Sequence, residues 1–127
     1  MYKITSLDHL VLTVKNIEST IAFYSDVLGM DKIIFGNGRT ALGFGTQKIN
    51  LHEYKNEFNP KAQSPTPGSA DLCFISSQSV NEWIKWLNCK GVNIIEGPVR
   101  RTGAIGEIIS IYIRDPDFNL IEISNYL

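Results

Sequence analysis

Five polar residues interrupt runs that otherwise read as apolar strands: His9, Asn50, His52, Asp71 and Glu122. Burying an imidazole or carboxylate in such a run is unfavourable unless the group is paired, hydrogen-bonded or bound to a metal. His9, His52, Asp71 and Glu122 offer nitrogen and oxygen donors suited to a divalent Zn, Ni, Mn or Fe ion. Three protein ligands with open positions are what a catalytic metal needs to receive water or substrate. Taken singly, each residue also has a plainer role. His9 can be a satisfied structural histidine, Glu122 an edge residue pointing to water, and Asp71 a cap for the turn after Gly68-Ser69. Asn50 and His52 share one strand face about 6–7 Å apart, because side chains alternate along a strand. His52 is therefore either a ligand or an acid-base group beside the site. Cys73 is expected to point the same way as a small hydrophobe. Arg101, beside Gly103 and Gly106, is expected in a loop from which it clamps an anionic substrate.

The elements that must position these residues follow one order twice. Leu7 to Val14 predicts a strand. A helix follows, with Asn16 as N-cap and with Ile17, Ile21, Tyr24 and Leu28 at helical spacing; Gly29 ends it. Ile33 to Phe35, Thr40 to Phe44 and Lys48 to Tyr54 predict three more strands. Asn56 to Gly68, with Pro60, Pro65 and Pro67, is a connector. Asp71 to Ile75 then predicts a strand, Val80 to Leu87 a helix ended by Gly91, and Val92 to Ile95, Ile108 to Ile113 and Leu120 to Tyr126 three strands. His9 to Gly29 and Asp71 to Gly91 have the same spacing, an offset of 62. In the last strands the offset is 72, pairing Asn50 with Glu122 and Tyr54 with Tyr126. The added residues fall between Gly97 and Glu107. Internal repetition of this kind defines a fold class. The expectation is α+β: two βαβββ modules (about 4–55 and 69–127, with a linker at about 56–68) in a single domain spanning residues 1–127. A pseudo-two-fold relation would bring the four polar strand positions to one place.

Composition agrees with a globular chain and adds little. The 127 residues are 43% hydrophobic and 20% charged, with a net charge of -1. That balance gives no electrostatic reason to expect nucleic acid or an anionic membrane as partner. No apolar run approaches a membrane span, and Met1-Tyr2-Lys3-Ile4-Thr5 lacks the apolar segment of a signal peptide. Cys73 and Cys89 are too few for a disulfide scaffold, so the expectation is reduced thiols in a cytoplasmic protein.

Three stretches carry a family resemblance: Leu7-Asp8-His9-Leu10-Val11-Leu12-Thr13-Val14, Ala22-Phe23-Tyr24-Ser25-Asp26-Val27-Leu28-Gly29-Met30 and Ile113-Arg114-Asp115-Pro116-Asp117-Phe118-Asn119-Leu120-Ile121-Glu122. Together they resemble the vicinal oxygen chelate superfamily of glyoxalases, fosfomycin-resistance thiol transferases, extradiol dioxygenases and bleomycin-resistance proteins. Ile49-Asn50-Leu51-His52 and Gly68-Ser69-Ala70-Asp71-Leu72-Cys73-Phe74 are similar to its small glyoxalase-domain virulence proteins. The resemblance implies a cupped, barrel-like mixed sheet with helices outside, a homodimer, and a divalent metal held at His9, Asn50 or its neighbour, Asp71 and Glu122. Asp71 stands where these enzymes usually have histidine, and Asn50 where many glyoxalases have glutamate. Those departures argue against an iron dioxygenase. Phe118 replaces the usual glycine of the Asp-Pro-Asp-Gly-Asn turn. The implied activity is a metal-dependent lyase or isomerase of glyoxalase type, acting on a small molecule chelated through adjacent oxygens, with Glu122 or His52 as base and Asn50 and Arg101 contacting substrate. The alternatives are metal-free sequestration of a small molecule, as in bleomycin resistance, and, second, thiol transfer or dioxygenation. Phe44, Trp86 and Tyr126 suggest an apolar wall.

Overall fold

A computed structural model describes all residues, 1–127. Its elements are β1 (His9–Val14), α1 (Ile17–Asp26), β2 (Asp31–Phe35), β3 (Arg39–Phe44), β4 (Gln47–Glu53), β5 (Asp71–Ile75), α2 (Val80–Cys89), β6 (Glu96–Thr102), β7 (Glu107–Arg114) and β8 (Leu120–Tyr126). They form two four-stranded mixed sheets, ordered β1-β4-β3-β2 and β5-β8-β7-β6, with no closed barrel. The α+β class and the repeated βαβββ order are as expected. The chain divides into two compact units, Met1–Pro67 and Gly68–Leu127.

In the first unit, Leu12, Val14, Leu42, Ile49 and Leu51 are buried on one sheet face, and α1 packs on β2, β3 and β4. The Asn16 side chain accepts the Ser19 N–H at 2.8 Å, so the helix starts where the sequence puts its cap. Gly29 and Gly91 close the two helices with φ of +72° and +71°, a conformation that costs glycine little. In the second unit, α2 carries a full capping box between Ser79 and Glu82. Ile108, Ile111, Ile113, Ile121 and Ile123 fill the core of that unit.

Strand register confirms the repeat. Parallel pairing sets Val11 beside Asn50 in β1 and β4, and Cys73 beside Glu122 in β5 and β8. Offsets of 62 and 72 carry the first pair onto the second. Three expectations are corrected. Val92 to Ile95 is not a strand; it runs from the end of α2 to the sheet and touches it through the Ile95 N–H to the Tyr112 carbonyl, at 2.9 Å. The strand is Glu96–Thr102, so the segment read as a loop carrying Arg101 is half of a β-hairpin with β7. A bulge between Glu96 and Val99 accommodates Gly97, whose φ is +107° and where a Cβ would collide with the Ser110 carbonyl. Pro98 is tolerated because β6 is an edge strand. Only Gly103 to Gly106 forms the turn, closed by the Gly103 N–H on the Gly106 carbonyl at 2.7 Å. Finally, β1 begins at His9 itself, so His9 lies at a strand end rather than inside an apolar run.

The β7–β8 turn is locked by side chains. Asp115 Oδ1 accepts the N–H groups of Asp117 and Asn119, both at 2.9 Å, and Asp115 Oδ2 accepts Asn119 Nδ2 at 2.8 Å. Asn119 Oδ1 takes the Ala70 N–H at 2.8 Å, tying the entry of β5 to the same corner. Phe118 holds φ at +66° and is 71% exposed, so the turn keeps the left-handed residue that glycine would supply.

Candidate functional site

The first unit's polar face is built from alternate residues of its four strands. His9, Val11 and Thr13 pair with Lys48, Asn50 and His52, and Ala41 of β3 sits beside Asn50. His9 is half-exposed and its Nδ1 hydrogen-bonds Asp8 Oδ1 at 2.8 Å. That contact leaves Nε2 directed away from the carboxylate, the arrangement by which a carboxylate orients a metal-binding imidazole. Asn50 is 6% exposed and its Oδ1 has no hydrogen-bond partner. Leaving such an acceptor unmatched costs about 1–3 kcal/mol, so this oxygen is available to a ligand.

His52 is buried in a different environment. Arg39 Nη2 lies 3.3 Å from its Nε2, and the Phe58 ring meets its edge with centroids 5.5 Å apart. Burial, reinforced by the Arg39 charge and by Lys61, pushes the imidazole below its ordinary value, against the opposing charge of Glu57. The neutral ring then accepts from Arg39 through Nε2. The Arg39 guanidinium itself sits over two rings, 5.2 Å from Phe35 and 4.6 Å from Phe58, while Lys48 lies 3.9 Å above the Phe35 ring.

The second unit's matching face carries acids and hydroxyls. Cys73 pairs with Glu122, and Tyr112 of β7 faces Glu122 from the other side. Ser124 Oγ lies 2.7 Å from Ser110 Oγ, 3.3 Å from Cys73 Sγ and 3.4 Å from Glu122 Oε2. Cys73 is exposed rather than a buried small hydrophobe. Partial burial still pushes its thiol up, and the nearby Glu122 and Asp71 charges act in the same direction. Asp71 lies exposed at the start of β5. Burial also pushes the Tyr112 phenol up, with Glu122 adding to the shift and the hydrogen bond from Arg101 opposing it. Arg101 donates to Tyr112 Oη at 2.9 Å and to Glu96 Oε2 at 2.7 Å. Its guanidinium is thus already engaged within the sheet.

Asn50 and His52 therefore share one face as expected, and Cys73, Glu122 and Ser124 share another. No three His, Cys, Asp or Glu side chains of the chain gather into a set that could hold a metal ion. Trp86, expected on an apolar wall, is 43% exposed on α2 with the Lys90 ammonium 4.8 Å from its ring centre. Sequence reasoning missed Arg39, Lys48, Phe35 and Phe58. The signal was present in the short Gly45-Thr46 turn, which fixes the β3–β4 register and sets Arg39 across from His52.

No helix is long and apolar enough to cross a membrane. The chain is 60% identical over 124 residues to the virulence protein STM3117 of Salmonella typhimurium, covering 98% of this chain and 86% of that protein. The crystal structure of that protein superposes with a TM-score of 0.97 at 59% identity, covering 99% of this chain and all of the other. The glyoxalase domain-containing protein RDO1 of Mycosarcoma maydis is 55% identical, over 97% of this chain and 69% of that protein. The metallothiol transferase FosB of Staphylococcus epidermidis is 31% identical, over 95% of this chain and 82% of that protein. Residues 6–123 match the model of the Glyoxalase/Bleomycin resistance protein/Dioxygenase superfamily, and the chain belongs to that superfamily.

Proposed function

We propose that this chain is a metal-dependent enzyme of glyoxalase type that acts on a small molecule held through adjacent oxygens. The observation that carries the reading is the unpartnered, buried Oδ1 of Asn50 on the same sheet face as His9, whose Nδ1 is fixed by Asp8. A buried oxygen acceptor and an oriented imidazole are donors that fit a divalent cation. In this reading His9 Nε2, Asn50 Oδ1, Asp71 and Glu122 hold the ion, two from each module. The metallothiol transferase relative supports a metal by its name. We further propose that the modules contributing to one site come from two copies of the chain in a homodimer.

The ion, when bound, supplies a Lewis acid for the substrate's two oxygens. The protein's own groups do the rest. Glu122 accepts the proton from the substrate carbon, with Tyr112 and Ser124 beside it to fix its orientation. The alternative base, His52, has its Nε2 occupied by Arg39, which favours Glu122. Arg101 orients Tyr112 rather than gripping substrate. Elemental analysis of purified protein and assay against hemithioacetals before and after chelation test the reading. Stoichiometric metal and a loss of about a hundredfold or more in Glu122→Gln are expected. Turnover indifferent to both chelation and Glu122→Gln would reject it, and a metal-free protein that still binds small molecules would point to sequestration.

A further inference from the structure

The first module contains a basic and aromatic cluster that the metal reading leaves unused. Arg39, Lys48 and His52 lie on one sheet face with Phe35 and Phe58. Neither Arg39 nor Lys48 forms an ion pair with any carboxylate. Glu57, the acid whose charge reaches His52, is engaged by the Lys55 N–H at 2.7 Å and by Lys61 Nζ at 3.3 Å. Arg39 Nε is buried and has no partner. The Nε–H and Nη2–H groups form the edge of a guanidinium that grips two oxygens of one anion. Here Nη2 has only an imidazole nitrogen, at 3.3 Å, and Nε has nothing. An imidazole offers one lone pair, so it leaves half of that fork unused.

The repeat shows that this arrangement is not a requirement of the fold. Ser110 and Ser124 occupy the cross-strand positions of module two that Arg39 and His52 occupy in module one, and they satisfy each other at 2.7 Å. A small, closed hydroxyl pair suffices to build the sheet there. Module one instead keeps two cations and an open donor edge, flanked by rings that lower hydration around the charge.

We infer that Arg39, supported by Lys48 and His52, forms an anion subsite that takes a carboxylate or phosphoryl group. Phe58, 42% exposed on the segment after β4, keeps its ring 4.6 Å from the Arg39 guanidinium carbon. His52 stands one pleat beyond Asn50, roughly 7 Å along the strand. Resting on the metal reading for this one step, the substrate class is a small molecule that carries an anionic group besides its chelated oxygens.

The test follows the Arg39 Nε–Hε resonance of metal-free, isotopically labelled full-length protein during titration with inorganic phosphate and, separately, with acetate. A saturable shift with either anion is expected, and the stronger binder names the group. Arg39→Lys should weaken binding about tenfold or more, because an ammonium cannot present two parallel donors. Lys48→Met should weaken it about two- to threefold. A resonance unmoved by tens of millimolar of both anions would overturn the inference, as would anion-induced shifts of the Lys48 and His52 backbone amides that persist unchanged in Arg39→Lys. The wild-type resonance is informative even if a variant folds poorly. Metal uptake is measured separately on the same preparation, so loss of one result leaves the other standing.

Discussion

The two modules share strand order, register and helix closure, yet they diverge in what their equivalent faces carry. Module one presents His9, Lys48, His52 and Arg39, while module two presents Asp71, Glu122 and Glu96, the last two beside Tyr112. At one matched pair of positions the contrast is sharpest: Arg39 and His52 against Ser110 and Ser124. Module one is basic and incompletely satisfied, whereas module two is acidic and closed by its own hydrogen bonds. Duplication thus conserved the scaffold while letting the faces specialise. Unsatisfied buried groups have to be offset by binding or by stability elsewhere.

The comparison breaks most decisively in a mixing experiment. If one metal site takes a basic half from one copy and an acidic half from another, His9→Ala and Glu122→Gln proteins are each inactive alone. Their mixture, after subunit exchange, should regain about a quarter of the wild-type metal sites, since half of the dimers are mixed and each has one intact site. No recovery, with exchange confirmed by mass labels, would place both halves in one chain.

The next largest effect concerns the closed character of module two. Asn119→Ala removes a fully buried side chain that accepts from Ala70 and donates to Asp115. A loss of about 2–4 kcal/mol in urea unfolding is expected. Hydrogen exchange should accelerate first at β5 and the β7–β8 turn. Uniform acceleration across both modules would mean that they do not unfold as separate units.

A smaller effect reads the acidic face directly. The Cys73 pKa is raised by burial, then by Glu122 and Asp71, with the Ser124 hydrogen bond opposing. Alkylation requires thiolate, so its rate at neutral pH lies below that of an unburied cysteine and climbs only as pH passes the raised value. Glu122→Gln removes one raising charge and should speed alkylation a few-fold at fixed pH. A rate and midpoint unchanged in that variant would show that Glu122 does not act on this thiol.

Much of this architecture was legible from residue types alone. Asn16, Gly29 and Gly91 marked the helix ends because caps depend on local backbone chemistry. The offsets of 62 and 72 located the polar strand positions, because the alternation of a strand is local too. What was not legible depended on register and on sheet edges. The segment between Gly97 and Glu107, with Gly103 and Gly106, reads as a loop, yet an edge strand accepts proline and a bulge absorbs the extra residue. Arg101 was consequently read as a free clamp, though Glu96 and Tyr112 already hold it. Arg39 falls just before the strand expected from Thr40 to Phe44, at the first residue of the actual strand. Its place opposite His52 follows only once the hairpin is paired residue by residue.

The edge strand β6 has a consequence for how the protein avoids the wrong company. An unpaired strand edge is an open template for any extended chain that meets it. Along β6, Pro98 offers no N–H, and Glu96, Arg100 and Arg101 line the strand with charge. The bulge at Gly97 twists the backbone out of register with any regular partner. Growth of this sheet by strand addition is therefore disfavoured on the β6 side. The residues that lengthen module two thus give its outer strand the charge, proline and bulge that disfavour pairing with another extended chain.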